Sequence, residues 1–245
     1  MSKFILIDGV DGCGKSTQVN MLVEYLNEKY NGKCVTIHFP NYKSESSGPA
    51  RAYLAGGIPN DTNNILAISS LFTVDMYCTY MTNLKKYFDD PDMFIIMDRW
   101  ILSSVVYQTL NCDHHSKFTM QKAIYDMAIN TYHLPQPDLT IILDMDGQFA
   151  VDNIKLRQQK SNSTNTDVHE ENDDIIIRAA DEYRLQGNFP VACHCYADNM
   201  DDIQNNSVKL VKVDIGRMTH DYKMKPATRI HSQIVNIVNE YFNLK

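Results

Sequence analysis

Basic charge is scarce in this chain: 23 lysines and arginines face 30 aspartates and glutamates, a formal net charge of −7 over 245 residues. A nucleic-acid binder carries a basic patch or stripe. None is visible, so any anionic ligand is small and held by a few local cations. Long apolar runs are absent as well. No stretch approaches the roughly 20 residues a bilayer span needs, and the start lacks the charged-then-apolar pattern of a secretory signal, so no membrane role is expected. The 6 cysteines are scattered, and one lies inside a glycine-rich loop, which points to a reducing cytoplasmic location. Neither Cys112-x-His114-His115 nor Cys193-His194-Cys195 has the paired spacing of a zinc site. Repeats, heptads and domain linkers are missing. So are a G-x-S-x-G elbow and an Asn-Lys-x-Asp base-reading motif, which disfavours a hydrolase of that type and a guanine-specific switch.

What is present begins at Gly9-Val10-Asp11-Gly12-Cys13-Gly14-Lys15-Ser16-Thr17. This fits G-x-x-x-x-G-K-[ST], in which backbone N–H groups point at phosphate oxygens, the lysine reaches the β/γ-phosphates and the serine ligates Mg²⁺. Context supports the match. Lys3–Asp8 is a short apolar run suited to a buried parallel strand, and Val19, Leu22, Val23 and Leu26 follow at helical spacing. The order strand, loop, helix puts an anion at a helix N-terminus, where free amides and the helix dipole favour it.

Beyond the loop, apolar runs of strand length alternate with segments of helical period. Strands are expected at Lys33–Phe39, Met93–Asp98, Leu139–Asp144 and Val208–Asp214. Helical spacing falls in Ser16–Tyr30, in a short stretch beginning at Arg51 and closed by Gly56-Gly57, and in Asn63–Phe88. It recurs in Ile101–Leu110, Thr119–Tyr132, Phe149–Gln159, about Glu170–Gln186, and after Pro226. This alternation predicts one α/β domain, residues 1–245, with five parallel strands covered by helices on both faces. The polar tract Lys160–Asp167 is expected to tip a mobile lid at about 157–170, a bare surface loop being the alternative. Ligands of open parallel sheets bind beyond the carboxyl ends of the strands, which places Asp98 and Arg99 well.

The loop through Gln18, followed by Phe39-Pro40, Asp98-Arg99-Trp100, Ser103-Ser104 and Tyr107-Gln108, resembles the thymidylate kinase family. The likeness runs from the N-terminus to about Leu185. It implies a three-layer P-loop NTPase sandwich, transfer of the γ-phosphoryl group of ATP to dTMP with Mg²⁺, and a homodimer packed through helices such as Asn63–Phe88. It implies that Gly9, Asp11, Gly12, Cys13, Gly14, Lys15, Ser16 and Thr17 hold the nucleotide, and that Ser16 and Asp98 hold the metal. Lys15, Asp98, Arg99 and a lid cation, Arg157 or Lys160, would carry catalysis. Asp11, Phe39, Arg51, Phe72, Arg99, Tyr107 and Gln108 would bind the acceptor. In this scheme Arg51 and Arg99 clamp its phosphate, Asp11 serves its 3′-hydroxyl or the cations, and Phe72 stacks on the pyrimidine. The residues alone also permit plainer roles: a turn carboxylate for Asp11, a surface ion pair for Asp98 and Arg99, and core packing for Phe72.

Two departures bear on specificity. Met76 stands where the family generally has an arginine that touches the thymine carbonyl, and thioether sulfur donates no hydrogen bond. The usual Phe-Pro-x-Arg reads Phe39-Pro40-Asn41-Tyr42. Gly12 and Cys13 leave the loop without an arginine, so transition-state charge is expected to be met from the lid. Broadened pyrimidine specificity, with dUMP or 5-modified dUMP as acceptor, is one alternative. A nucleotide-binding protein of weak activity is the other.

Overall fold

The computed structural model describes residues 2–59, 64–161, 168–170, 172–188, 209–216 and 224–244. Strand β1 (Lys3–Gly9) leads through the glycine-rich loop into α1 (Lys15–Lys29). Next come β2 (Cys34–His38), α2 (Gly48–Leu54), α3 (Ile65–Thr79) and α4 (Lys85–Phe88). Strand β3 (Phe94–Asp98) precedes α5 (Ile101–Gln108) and α6 (His114–Asp126). Strand β4 (Leu139–Met145) precedes α7 (Gly147–Ser161) and α8 (Asp173–Asn188), and β5 (Lys209–Gly216) precedes α9 (Ala227–Tyr241).

The strands form one parallel sheet in the order β2-β3-β1-β4-β5. Every residue of β3 and β4 is buried, as continuous apolar runs require when helices cover both faces. Helix α1 packs with α9, whereas α5 packs with α3, α6 and α8. One apolar core runs from Phe4 and Leu6 in β1 to Ile234 and Val238 in α9. The expected α/β three-layer arrangement is the observed one.

Local boundaries differ for identifiable reasons. Helix α2 begins at Gly48, three residues before Arg51. Pro49 occupies its first turn, where a missing N–H costs nothing and the fixed φ suits a helix. The long helix expected over Asn63–Phe88 is interrupted by a π-helical turn, Tyr80–Leu84, and a second such turn, Met127–Thr131, follows α6. Ile65–Phe88, 24 residues, is long and apolar enough to cross a membrane by length and composition, which corrects the expectation that no such stretch exists. Single polar residues break its apolar run without lowering the mean hydropathy far. Within the fold the helix packs on α2, α5 and α6, and Ser69, Thr73, Asp75 and Thr79 are buried along it. The expected lid tip, residues 162–167, and most of the aperiodic stretch Asn188–Asn206 lie outside the described residues.

Candidate active site

Glycine geometry shapes the loop between β1 and α1. Gly12 adopts φ +82°, and a Cβ there would collide with the backbone carbonyl of Ala150 on α7. Gly14, at φ +87°, turns the chain into α1, whose first turn has neither a side-chain cap nor an acidic residue. Its leading amides are thereby left for an anion. Lys15 is buried and folds back over the loop. Its Nζ donates to the carbonyls of Gly9 and Val10, each at 2.9 Å, and lies 3.7 Å from Asp11 Oδ1.

Parallel register brings three strand ends together: Asp98 pairs with Ile7 on one side and with His38 on the other. Ser16 Oγ donates to Asp98 Oδ2 at 2.8 Å, and His38 Nδ1 stands 3.1 Å from the same oxygen. Burial opposes ionisation of Asp98, but the His38 hydrogen bond and the charges of Lys15 and Arg99 outweigh it and hold the carboxyl below its usual range. The second oxygen, Oδ1, is buried with no hydrogen-bond partner among the described residues. A hydroxyl beside an ionised carboxylate with a spare oxygen is a hard donor pair suited to Mg²⁺, which retains waters and takes further ligands from phosphate. Among the described residues no cluster of three or more His, Cys, Asp or Glu could cage a transition metal.

One residue further on, Arg99 sits at φ +71°, a conformation L residues rarely adopt. Its Nη2 donates to Asp11 Oδ1, the Tyr107 hydroxyl donates to Asp11 Oδ2 at 2.7 Å, and the guanidinium lies 5.6 Å from the Tyr107 ring centroid. Burial pushes the Asp11 carboxyl up, yet Arg99 and Lys15 together bring it well below the carboxylate range. Burial and the Asp11 charge push the Tyr107 phenol far up. The three groups are therefore fixed at neutral pH as carboxylate, guanidinium and neutral phenol.

A cleft of about 480 Å³ runs from the loop to an aromatic end. Phe72 and Met76 from α3 and Tyr107 and Gln108 from α5 line that end. Tyr53 of α2 meets Phe72 edge-on at 5.9 Å and donates to Gln108 Oε1 at 3.4 Å. His169 completes the wall, its ring 4.9 Å from that of Tyr107. Burial pulls its imidazole down to about 4, so it is neutral at physiological pH. At the other end Arg157 of α7 lines the cleft and pairs with Glu170 at 2.5 Å.

Of the residues singled out from sequence, Asp11, Gly12, Gly14, Lys15, Ser16, Thr17, Phe39, Phe72, Arg99, Tyr107, Gln108 and Arg157 line this cleft. Asp98 adjoins it through Ser16, while Gly9 and Cys13 are not lining residues; Cys13 is buried at the start of the loop's last turn. Arg51 is exposed and does not line the cleft, because the inward positions of α2 go to Ala50, Tyr53 and Leu54. Sequence reading passed over His38, Asn153, His169 and Glu170. Asn153 Nδ2 donates to the Gly12 carbonyl at 3.1 Å from α7, a contact with no trace in local sequence.

A family model described as thymidylate kinase matches residues 7–188. A probable thymidylate kinase of Methanococcus maripaludis strain C6 is 30% identical over 160 residues, 65% of this chain and 69% of its own length. Thymidylate kinase of Ehrlichia chaffeensis is 25% identical over 220 residues, 86% of this chain and 98% of its own. Among solved structures, thymidylate kinase from Candida albicans superposes with a TM-score of 0.66 at 20% identity, covering 100% of this chain and 94% of that one. The Ehrlichia chaffeensis structure gives 0.60 at 19% identity, covering 97% and 98%. The match of the family model over most of the chain, on a parallel sheet that carries the phosphate loop and the Asp98-Arg99 pair at its strand ends, shows that this protein belongs to the thymidylate kinase family.

Proposed function

We propose that this chain, acting as one kinase domain, transfers the γ-phosphoryl group of ATP to dTMP to give dTDP. One observation carries the reading: a single cleft joins the phosphate loop to a pocket walled by Phe72, Tyr107 and Gln108, so donor and acceptor can meet in line. Lys15 and the loop amides hold the donor phosphates. Ser16 and Asp98 would hold Mg²⁺, which when bound offsets phosphate charge and orients the transferring group. Arg99 takes the acceptor phosphate, a task suited to a planar guanidinium. Asp11, ionised and fixed by Arg99 and Tyr107, accepts from the sugar 3′-hydroxyl, and Phe72 stacks on the base. Arg157, on leaving Glu170, supplies the cation that the loop lacks. No covalent intermediate is involved; catalysis is positioning and electrostatics.

Met76 lines the cleft and is 3% exposed, and its thioether leaves the base carbonyl without a hydrogen-bond donor at that position, so recognition of the base rests on the remaining wall of the cleft. We place the enzyme in the cytosol, since Cys13, Cys34, Cys78 and Cys112 are free thiols. A homodimer is proposed through Leu66, Tyr77 and Met81, exposed along one face of the α3 helix and its π turn. Light scattering should give twice the monomer mass, and Met81→Glu should halve it; a wild-type monomer would dismiss the dimer.

The test of the reaction is a coupled assay with ATP and dTMP, dUMP, dCMP and dGMP. Preference for dTMP is expected, and Lys15→Ala should lower kcat by at least about a hundredfold. Undiminished turnover in that variant would overturn the assignment.

A further inference from the structure

The end of β1 holds a carboxylate that the mechanism above does not use. Asp8 is fully buried, and among the described residues no cation forms an ion pair with it. A buried charge without a cation is costly unless it is closely hydrogen-bonded. Asp8 is so bonded: Oδ1 accepts from the Gly9 amide and from the Tyr183 hydroxyl, each at 2.8 Å. Ser103 Oγ stands 2.8 and 2.9 Å from its two oxygens and 3.0 Å from the Tyr183 hydroxyl.

A serine hydroxyl has one proton and two lone pairs. With the proton committed to Asp8, a lone pair of Ser103 is aimed outward, and Arg99 Nη1 donates to it at 3.2 Å. The guanidinium is thus pinned at two points, Nη2 on Asp11 and Nη1 on Ser103, which fixes its plane and leaves its other N–H donors for a ligand. Such a hold is needed because Arg99 leaves β3 at a positive φ, with a backbone poorly suited to set its direction.

We infer that Ser103, braced by Asp8 and by the hydroxyl of Tyr183, is a positioning residue that sets the Arg99 guanidinium for the acceptor phosphate. The inference rests on the phosphoryl-transfer reading given above. Tyr183 comes from α8, the helix that follows Glu170, so the brace also ties this helix to β1 and α5 at the point where Arg99 is aimed.

Steady-state kinetics of Ser103→Ala and Ser103→Thr, each in the Arg99 and in the Arg99→Lys background, test this. Ser103→Ala should raise the KM for dTMP about tenfold, the loss of one hydrogen bond to a charged group, with the KM for ATP within about twofold. Ser103→Thr keeps the hydroxyl and should stay within about threefold of wild type. In the Arg99→Lys background the Ser103→Ala effect should shrink to less than about twofold, since the group it orients has gone. Should Ser103→Ala fail to fold, Tyr183→Phe, which keeps the ring, should shift the dTMP KM about threefold in the same direction. Equal changes in both KM values, or an undiminished effect in the Arg99→Lys background, would overturn the inference while leaving the reaction intact. Failure of the wild type to phosphorylate any pyrimidine monophosphate would overturn the reaction, and the brace with it.

Discussion

The two ends of the cleft are built in different ways. At the phosphate end, nine consecutive residues supply the loop, the lysine and the serine, and glycine torsions set their shape. At the aromatic end, the wall is assembled from α2, α3, α5 and the turn before α8, so that Phe72, Gln108 and His169 meet only through the fold. A local device depends on backbone conformation and is sensitive to a single Cβ. An assembled one depends on burial and packing, and it tolerates exchange of side chains while its specificity drifts.

The largest expected effect falls on the local device. Gly12→Ala puts a Cβ at φ +82° against the Ala150 carbonyl, where neither the torsion nor the backbone gives way cheaply. A loss of about 3 kcal/mol in stability is expected, with loss of ATP binding, measured by denaturant melts and calorimetry. Normal stability and affinity would erase the contrast between the two ends.

At the aromatic end the strongest probe is pH. His169 has its pKa depressed to about 4 in the folded state from an ordinary 6.5. The unfolded chain therefore binds the extra proton first, and stability is lost as pH falls from about 6.5 toward 4. Between pH 7 and pH 5 the wild type should lose about 2 kcal/mol more than His169→Phe, in which this proton is absent. Other titrating groups, such as Asp8 and His231, are common to both proteins and cancel. Parallel curves for the two would show that the imidazole is solvated rather than walled in.

The smallest effect sharpens the comparison. Met76→Arg should restore a donor to the base carbonyl, which thymine and uracil share and cytosine replaces with an amino group. The kcat/KM ratio of dTMP over dCMP should rise about tenfold, while the ratio of dTMP over dUMP, set by the space around the 5-methyl group, changes less. An unchanged dTMP to dCMP ratio in a folded variant would mean that position 76 does not face the base.

The same division explains what could be read from residues alone. The phosphate loop, the strand ending in Asp98-Arg99 and the alternation of strands and helices are properties of short contiguous segments, and the structure bears out the strand and helix order. The exposed position of Arg51 depends on which side of α2 faces inward, and that side is set only once Pro49 is placed in the first turn of the helix. Tyr183 and Asp8 are 175 positions apart, and no periodicity relates them. His169 follows a polar tract, and only its burial between Tyr53 and Tyr107 makes it part of the cleft.

Trp100, the one tryptophan of the chain, lines this cleft beside Arg99. Its indole N–H donates to the Pro135 carbonyl at 3.1 Å, and its ring meets Phe39 at 5.1 Å and Phe4 at 5.9 Å. The molecule therefore carries a lone built-in fluorophore, screened from water and placed beside the arginine assigned to the acceptor. Emission excited at the red edge of protein absorbance comes from this indole alone, without labelling and without a competing signal from elsewhere in the chain. Ligands that fill the acceptor end can be titrated by the change in its intensity, and those that occupy only the loop can be told from them by its silence.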